Sequence, residues 1–245
     1  MKIITIIPAA GRGTRVNLSI PKILIRIGKK KIIDILINKI KKVSQDFIFV
    51  VNPEHAEKIK KYLDKNYKDK IHYRFVIQKK PLGMANAVDL SVKYIKYYQK
   101  ILIIWGDHIG VSKNTINKIC NIKYKNSTCI LPLVKKKNPY VEYFFSKNKL
   151  LKINETREGD ICSNIGFSDT GTFLFQSSSF KKIFDKFKKK QILGKITKEQ
   201  NFLPFILFLS RNKWNIKKKI IINNIETEGI NTKEDIKNFR LKCKD

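Results

Sequence analysis

Acidic residues are few in this chain. Its 245 residues carry 20 Asp and Glu against 52 Lys and Arg, a formal net charge of +32. Arginine is scarce too, standing only at 12, 15, 26, 74, 157, 211 and 240. A surface that reads nucleic acid draws on arginine, whose planar fork pairs bidentately with bases and phosphates; lysine is a compact, well-hydrated point charge. Lysines spread along the whole chain beside Ile and Asn therefore read as solvating faces, and no specific nucleic-acid partner is expected. Cys120, Cys129, Cys162 and Cys243 form no C-x-x-C pair and no metal-ligand spacing, which argues against a disulfide scaffold or zinc module and for reduced thiols in the cytoplasm. Long hydrophobic runs are missing: the first stops at Pro8, too short for a signal peptide, and none later would span a membrane. No repeat and no Gly/Ser linker divides the chain, so one domain is expected over residues 1–245.

What is present is an alternation of strand and helix patterns. Ile3 to Ile7, Phe47 to Val51, Ile71 to Ile77 and Ile101 to Trp105 have the composition of strands. Between them, residues 31–44, a segment opened by Pro53, and a segment carrying Ala85, Val88, Val92 and Ile95 have helical spacing. This order predicts right-handed βαβ units and a mostly parallel sheet. Further strands are expected at Thr128–Val134, Tyr140–Phe145, Leu150–Ile153, Thr172–Phe175 and Ile216–Ile222. Thr156–Ser168 reads as a mobile loop, Ser177–Ser179 as a cap for a helix holding Ile183, Phe184 and Phe187, and Phe202–Leu209 as an apolar core segment. Thr232 and Asp235 have capping-box spacing for a last helix.

Ligands of open parallel sheets sit at the carboxyl ends of the strands, and polar groups recur there. Pro8-Ala9-Ala10-Gly11-Arg12-Gly13-Thr14-Arg15 follows the first strand, with Pro21-Lys22 after it. Small residues bring backbone N–H groups close to an anion, and Arg12, Arg15 and Lys22 add positive charge, as a polyphosphate requires. The stretch is neither a P-loop nor the dinucleotide G-x-G-x-x-G. Gln78 with Gly83 ends the third strand and Asp107 the fourth.

These stretches, with Pro81-Leu82-Gly83-Met84, Trp105-Gly106-Asp107 and Glu228-Gly229-Ile230-Asn231, resemble the nucleotidyltransferases that make nucleotide-activated sugars. The pattern is similar to the uridylyltransferase half of a bifunctional bacterial enzyme that produces UDP-N-acetylglucosamine, in the same order from residue 3 to about 241. The resemblance implies a Rossmann-like three-layer α/β/α fold with a mostly parallel mixed central sheet, nucleotide-binding over about residues 1–111 and acceptor-binding over about 112–245. It implies that Ala9, Ala10, Gly11, Gly13 and Thr14 cradle the triphosphate, that Arg15 and Lys22 are its catalytic cations, and that Gln78, Pro81 and Gly83 meet a pyrimidine base. Asp107 and Asn231 match the family's protein ligands of Mg²⁺. Glu155 and Asp169 fall at the acceptor, and Glu142 is grouped with them.

The implied chemistry is attack by an acceptor's phosphate oxygen on the α-phosphorus of an NTP, expelling pyrophosphate. An ionised phosphate needs no general base, so His108 is expected to be a neighbour only. The chain departs from the pattern at Pro139-Tyr140-Val141-Glu142-Tyr143, where the family has a glycine-containing turn. It departs again at Asp169, where the family has asparagine, and at Met84, where it has a small polar residue. Both CTP and UTP stay open as donors. A sugar 1-phosphate and an amine-bearing phosphate (phosphocholine, an aminoalkylphosphonate or phosphoglutamine) stay open as acceptors, and so does a homo-oligomer. Two other classes are weighed. A glycosyltransferase would want an Asp-x-Asp motif where Gly106-Asp107-His108-Ile109 supplies one carboxylate, and a lysine-driven nucleic-acid binder would show steep salt dependence.

Overall fold

The computed structural model of the chain describes residues 2–11, 20–124 and 127–242. The β-branched run at the amino end forms β1 (Ile3–Pro8), which is buried along its whole length. After the minor strands β2 (Arg26–Ile27) and β3 (Lys30–Lys31) comes α1 (Ile32–Ile40), and then β4 (Asp46–Val51), α2 (Pro53–Tyr67), β5 (His72–Ile77), α3 (Met84–Val92) and β6 (Lys100–Ile104). β1 lies between β4 and β6, parallel to both, and β5 adds parallel to β4. The expected βαβ pattern is thus present in the first half.

The second half continues with α4 (Lys113–Asn121), β7 (Thr128–Lys137), β8 (Val141–Ser146), β9 (Lys149–Glu155), β10 (Ile165–Asp169), β11 (Thr172–Gln176), α5 (Phe180–Lys188), α6 (Leu203–Arg211), β12 (Asn215–Ile221) and α7 (Lys233–Lys242). Among the described residues, eight strands form one mixed sheet. β11 is antiparallel to β6 and meets the start of the long β7, whose far end pairs with β10; β12 runs parallel to β7. β8 and β9 form a separate hairpin.

Side chains of the central strands alternate between two cores. Ile7, Phe47, Phe49, Leu102 and Ile104 pack with α1, α2 and α4 on one face. Ile4, Ile6, Ile48, Ile101 and Ile103 pack with α3, α5 and α6 on the other, where the rings of Phe173, Phe175, Phe180, Phe184, Phe202 and Phe205 cluster. Strands covered on both faces are largely apolar, as β1 and β6 are apart from the buried Thr5 and Lys100. The result is the three-layer Rossmann-like architecture.

Three local expectations need correction. The polar stretch Thr156–Ser168 is not all loop: its end is β10, whose Ile165–Asp169 pair in register with Lys137–Leu133 of β7. The serines before α5 do not cap it through their side chains, since Ser179 makes no such bond and the Ser177 hydroxyl donates to the Tyr98 carbonyl. The first helix ends at Ile40, short of residue 44. The capping box before α7 is formed: the Asp235 N–H donates to Thr232 Oγ1 at 3.1 Å and the Thr232 N–H to Asp235 Oδ2 at 2.7 Å.

The segment leading into α7 is pinned against the end of β6. Glu226 accepts from the Ser112 N–H at 3.1 Å and the Thr115 hydroxyl at 3.0 Å, placing a carboxylate at the start of α4. The Ile230 N–H donates to the Asp107 carbonyl at 2.9 Å and the Gly110 N–H to the Glu228 carbonyl at 3.1 Å. Gly110 has no room for a Cβ, which would lie 2.0 Å from the Ile225 carbonyl oxygen. Gly110→Ala is therefore expected to push this segment off the sheet and lower the unfolding free energy by about 1–3 kcal/mol. Urea denaturation measures this, and an unchanged midpoint would contradict the packing.

Candidate active site

Pro21 precedes a 3₁₀ turn, Lys22–Leu24, whose Ile23 and Leu24 are buried and whose Lys22 is left facing the sheet edge. The Lys22 Nζ donates to Asp107 Oδ2 at 2.7 Å and to Asn231 Oδ1 at 3.1 Å. Three expected site residues from remote parts of the chain therefore share one ammonium. The two charged side chains are about one-fifth exposed, at 19% and 23%. Burial opposes ionisation of Asp107, but the Lys22 charge, with His108 beside it and hydrogen bonds adding, outweighs that and holds the carboxyl below the usual carboxylate range.

The first loop approaches the same edge. The Ala9 N–H donates to the Val50 carbonyl at 2.7 Å, and the Gly106 N–H donates to the Pro8 carbonyl at 3.1 Å, so the ends of β1 and β6 are tied together. Ala10 is buried beside Asn52, and Gly11 is exposed. Arg12, Gly13, Thr14 and Arg15 lie outside the described residues. Gln78 is buried at the end of β5, where its amide nitrogen donates to the Gly83 carbonyl at 3.0 Å and to Asn86 Oδ1 at 2.9 Å. Gly83, at φ +104°, presses on the backbone of Gln200, which a Cβ would meet at 2.7 Å. Pro81 is exposed in the intervening loop.

Asp107 opens onto a cleft of about 440 Å³ that also takes in Met84, Trp105, Tyr140, Glu155, Asp169 and Asn231. Asp169, at the end of β10, accepts from the Tyr143 hydroxyl at 3.0 Å and from the Gly171 N–H at 2.6 Å. Glu155 ends β9 and is 8% exposed. Burial chiefly pushes its carboxyl up to about 7; the Arg157 guanidinium opposes this, while Glu158, Asp169 and Asp160 add to it. Glu142 does not line the cleft. It is buried against Gly166 of β10 and accepts from the Ser163 N–H at 2.6 Å, so the expectation that it meets the acceptor is corrected to a role inside the β8–β9–β10 packing.

Sequence reasoning passed over Lys136, Arg157, Asn201 and Thr227, which also line the cleft. The Lys136 Nζ donates to Thr227 Oγ1 at 3.1 Å. Arg157 donates to Glu199 at 2.9 Å and to Asn201 at 3.0 Å. Neighbouring Glu158 carries a contrasting charge state. Burial would raise its carboxyl, but the Thr197 hydroxyl, the Asn201 amide and the N–H groups of Ile196 and Thr197 together hold it down at about 2.

Residues 4–199 match the family model described as "Nucleotidyl transferase". The chain is 34% identical over 232 residues to the bifunctional protein GlmU of Buchnera aphidicola subsp. Baizongia pistaciae, covering 92% of this chain and 49% of that protein. It is 29% identical over 241 residues to the GlmU of Buchnera aphidicola subsp. Acyrthosiphon pisum (strain Tuc7), covering 97% and 50%. The chain thus spans about half the length of the curated relatives it matches. A Bacillus anthracis chain assigned as a glucose-1-phosphate thymidylyltransferase, crystallised in complex with a sucrose, shares the fold. Its TM-score is 0.74 over 99% of this chain and 96% of that one, at 17% identity.

The raised Glu155 carboxyl has a consequence for stability. Its neutral form is favoured in the fold, so its contribution is fully present below the ordinary value of 4.5 and is lost as pH rises through about 7. Glu155→Gln should therefore gain on the parent between pH 4 and pH 8, by at most about 3 kcal/mol. Urea unfolding at the two pH values measures the gain, and a difference that does not change with pH would contradict it.

Proposed function

Because the chain belongs to the nucleotidyl transferase family, we propose that it transfers a nucleoside monophosphate from CTP or UTP to a phosphorylated small molecule and releases pyrophosphate. The meeting of Lys22, Asp107 and Asn231 carries this reading. A carboxylate and an amide oxygen gather one cation at the carboxyl edge of the sheet, beside the backbone of Ala9 to Gly11. The reaction brings a phosphate anion onto a triphosphate, and two unit charges about 4 Å apart repel by roughly 1 kcal/mol in water and roughly 4 kcal/mol at a protein-like dielectric. Lys22, placed there by its 3₁₀ turn, offsets part of that repulsion by position alone, with Arg15 assigned to the same task.

The oxygens of Asp107 and Asn231 fit Mg²⁺. They are hard donors that already surround an ammonium, and among the described residues no cluster of three or more His, Cys, Asp or Glu offers a richer cage. Few protein oxygens, completed by water and substrate phosphates, is the usual way Mg²⁺ is held, and there it would neutralise phosphate charge. We assign Gln78 to the pyrimidine base of the donor. Its amide N–H groups are engaged by Gly83 and Asn86, which leaves its carbonyl oxygen to accept from a cytosine amino group or a uracil imide N–H. Glu155 and Asp169 would face the acceptor across the cleft, and Pro81 with Gly83 would flank the base.

Lys22→Ala and Asp107→Ala should each lower pyrophosphate release by about a hundred- to a thousandfold while the fold is kept. The assay supplies Mg²⁺, one NTP and a panel of phosphorylated acceptors. Turnover close to the parent's in both variants would sink the reading.

A further inference from the structure

We propose that the acceptor carries a cationic nitrogen, seated in the cleft against the carboxylates of Glu155 and Asp169. The inference rests on the reading above, in which Lys22, Asp107 and Asn231 serve the phosphates.

The cleft gathers three carboxylates, Asp107, Glu155 and Asp169, in a chain that has little acid to place. Asp107 has the Lys22 ammonium at 2.7 Å. Among the described residues, Glu155 and Asp169 have no cation within ion-pair distance. The two cations that line the same cleft make their close contacts elsewhere, and Arg157 acts on Glu155 only from beyond ion-pair distance. The Arg157 guanidinium sits 2.9 Å from Glu199 and 3.5 Å from Glu158, and Lys136 donates to Thr227 in the segment that carries Asn231.

The two carboxylates are built as acceptors of charge. Asp169 is held by two neutral donors, the buried Tyr143 hydroxyl and the Gly171 N–H, one on each oxygen. Both bonds fix its direction, yet neither cancels its charge. Glu155 is more than nine-tenths buried, and its carboxylate has no hydrogen-bond partner among the described residues. A carboxylate in that position is costly unless a counter-ion reaches it, and the cleft is the open side from which one can come. The upward displacement of the Glu155 carboxyl reports the same missing partner. Trp105 and Tyr140 also line the cleft, and an aromatic ring face attracts a cation.

The test measures pyrophosphate release with CTP and with UTP, using acceptors that differ only at one group. Glucosamine 1-phosphate, N-acetylglucosamine 1-phosphate and glucose 1-phosphate form a sugar series. Phosphoethanolamine and phosphocholine, set against ethylene glycol monophosphate, form an alkyl series, so the two arms separate an amino sugar from an amino alcohol. Within at least one series the cationic member should exceed its neutral partners by about 100-fold in kcat/KM. Asp169→Asn and Glu155→Gln should shrink that ratio chiefly through KM, while calorimetric nucleotide binding stays unchanged. Should a variant fail to fold, the series on the parent protein still decides the matter. Nucleotide binding together with equal or better use of neutral acceptors, or with no use of any cationic one, overturns this inference and leaves the nucleotidyl transfer reading standing. Failure to bind any NTP removes that reading, and this inference with it.

Discussion

A single ammonium group shared by a carboxylate and an amide oxygen joins the working parts of this structure. Lys22 reaches Asp107 across 85 residues of sequence and Asn231 across 209. The contact ties the turn after the first loop, the end of the central strand β6 and the segment before α7 into one corner. Its worth to stability is modest, because both charges are partly open to solvent and an ion pair of that kind contributes about 0–1 kcal/mol. Its value lies in position. Each partner is fixed independently: Lys22 by the buried Ile23 and Leu24, Asp107 by the Ile230 N–H on its carbonyl, and Asn231 by an N–H bond to Asp235 at 2.7 Å. The corner is thus fixed before any ligand arrives, as the proposed polyphosphate role would require.

Charge acts on two scales around that corner. The excess of +32 is spread over lysines and makes a diffuse field that attracts anions of every sort, over a reach of about 8 Å at physiological salt. Such a field would speed the arrival of the proposed nucleotide and phosphorylated acceptor alike, but it could not tell them apart. Discrimination needs charges of the opposite sign at short range. The cleft places Asp169 and the raised carboxyl of Glu155 there, held by strand ends rather than by long flexible stems. In the proposed reaction such a cleft would repel part of what the surface attracts, so the two scales would act in series.

Much of this was legible in the chain because it depends on local pattern. β-branched runs bounded by Pro or Gly mark strands covered on both faces, and the rule that ligands meet the carboxyl ends of parallel strands brings Pro8–Gly11, Gln78 and Asp107 to one edge. What escaped depends on pairing between remote segments. Glu142 and Tyr143 are neighbours on a strand with period two, so one faces Asp169 and the other turns to Ser163; sequence cannot say which. Residues 165–168 read as the end of a polar loop because their strand lies at a sheet end with part of it exposed, and only its register with β7 makes it a strand. Lys136, Asn201 and Thr227 enter the cleft through the packing of three separate segments, and nothing local announces them.

Glu155 and Glu158 show why composition alone cannot sort structural acids from functional ones. They stand three residues apart in a chain short of acid, and both are buried. Glu158 collects the Thr197 hydroxyl at 2.5 Å, the Asn201 amide at 2.9 Å and the Ile196 N–H at 2.9 Å, so its charge is fully answered inside the protein. That carboxylate is a strut: it fixes the segment whose Gln200 receives Gly83 and whose Asn201 and Phe202 wall the cleft. Glu155 shares the burial and lacks those donors, and its carboxyl is displaced in the opposite direction. Burial penalises the charge of both, and the donors decide which one is finished. Of the two, Glu155 is the acid whose hydrogen-bonding capacity the fold leaves unspent, and that capacity is what the proposed acceptor-binding role would use.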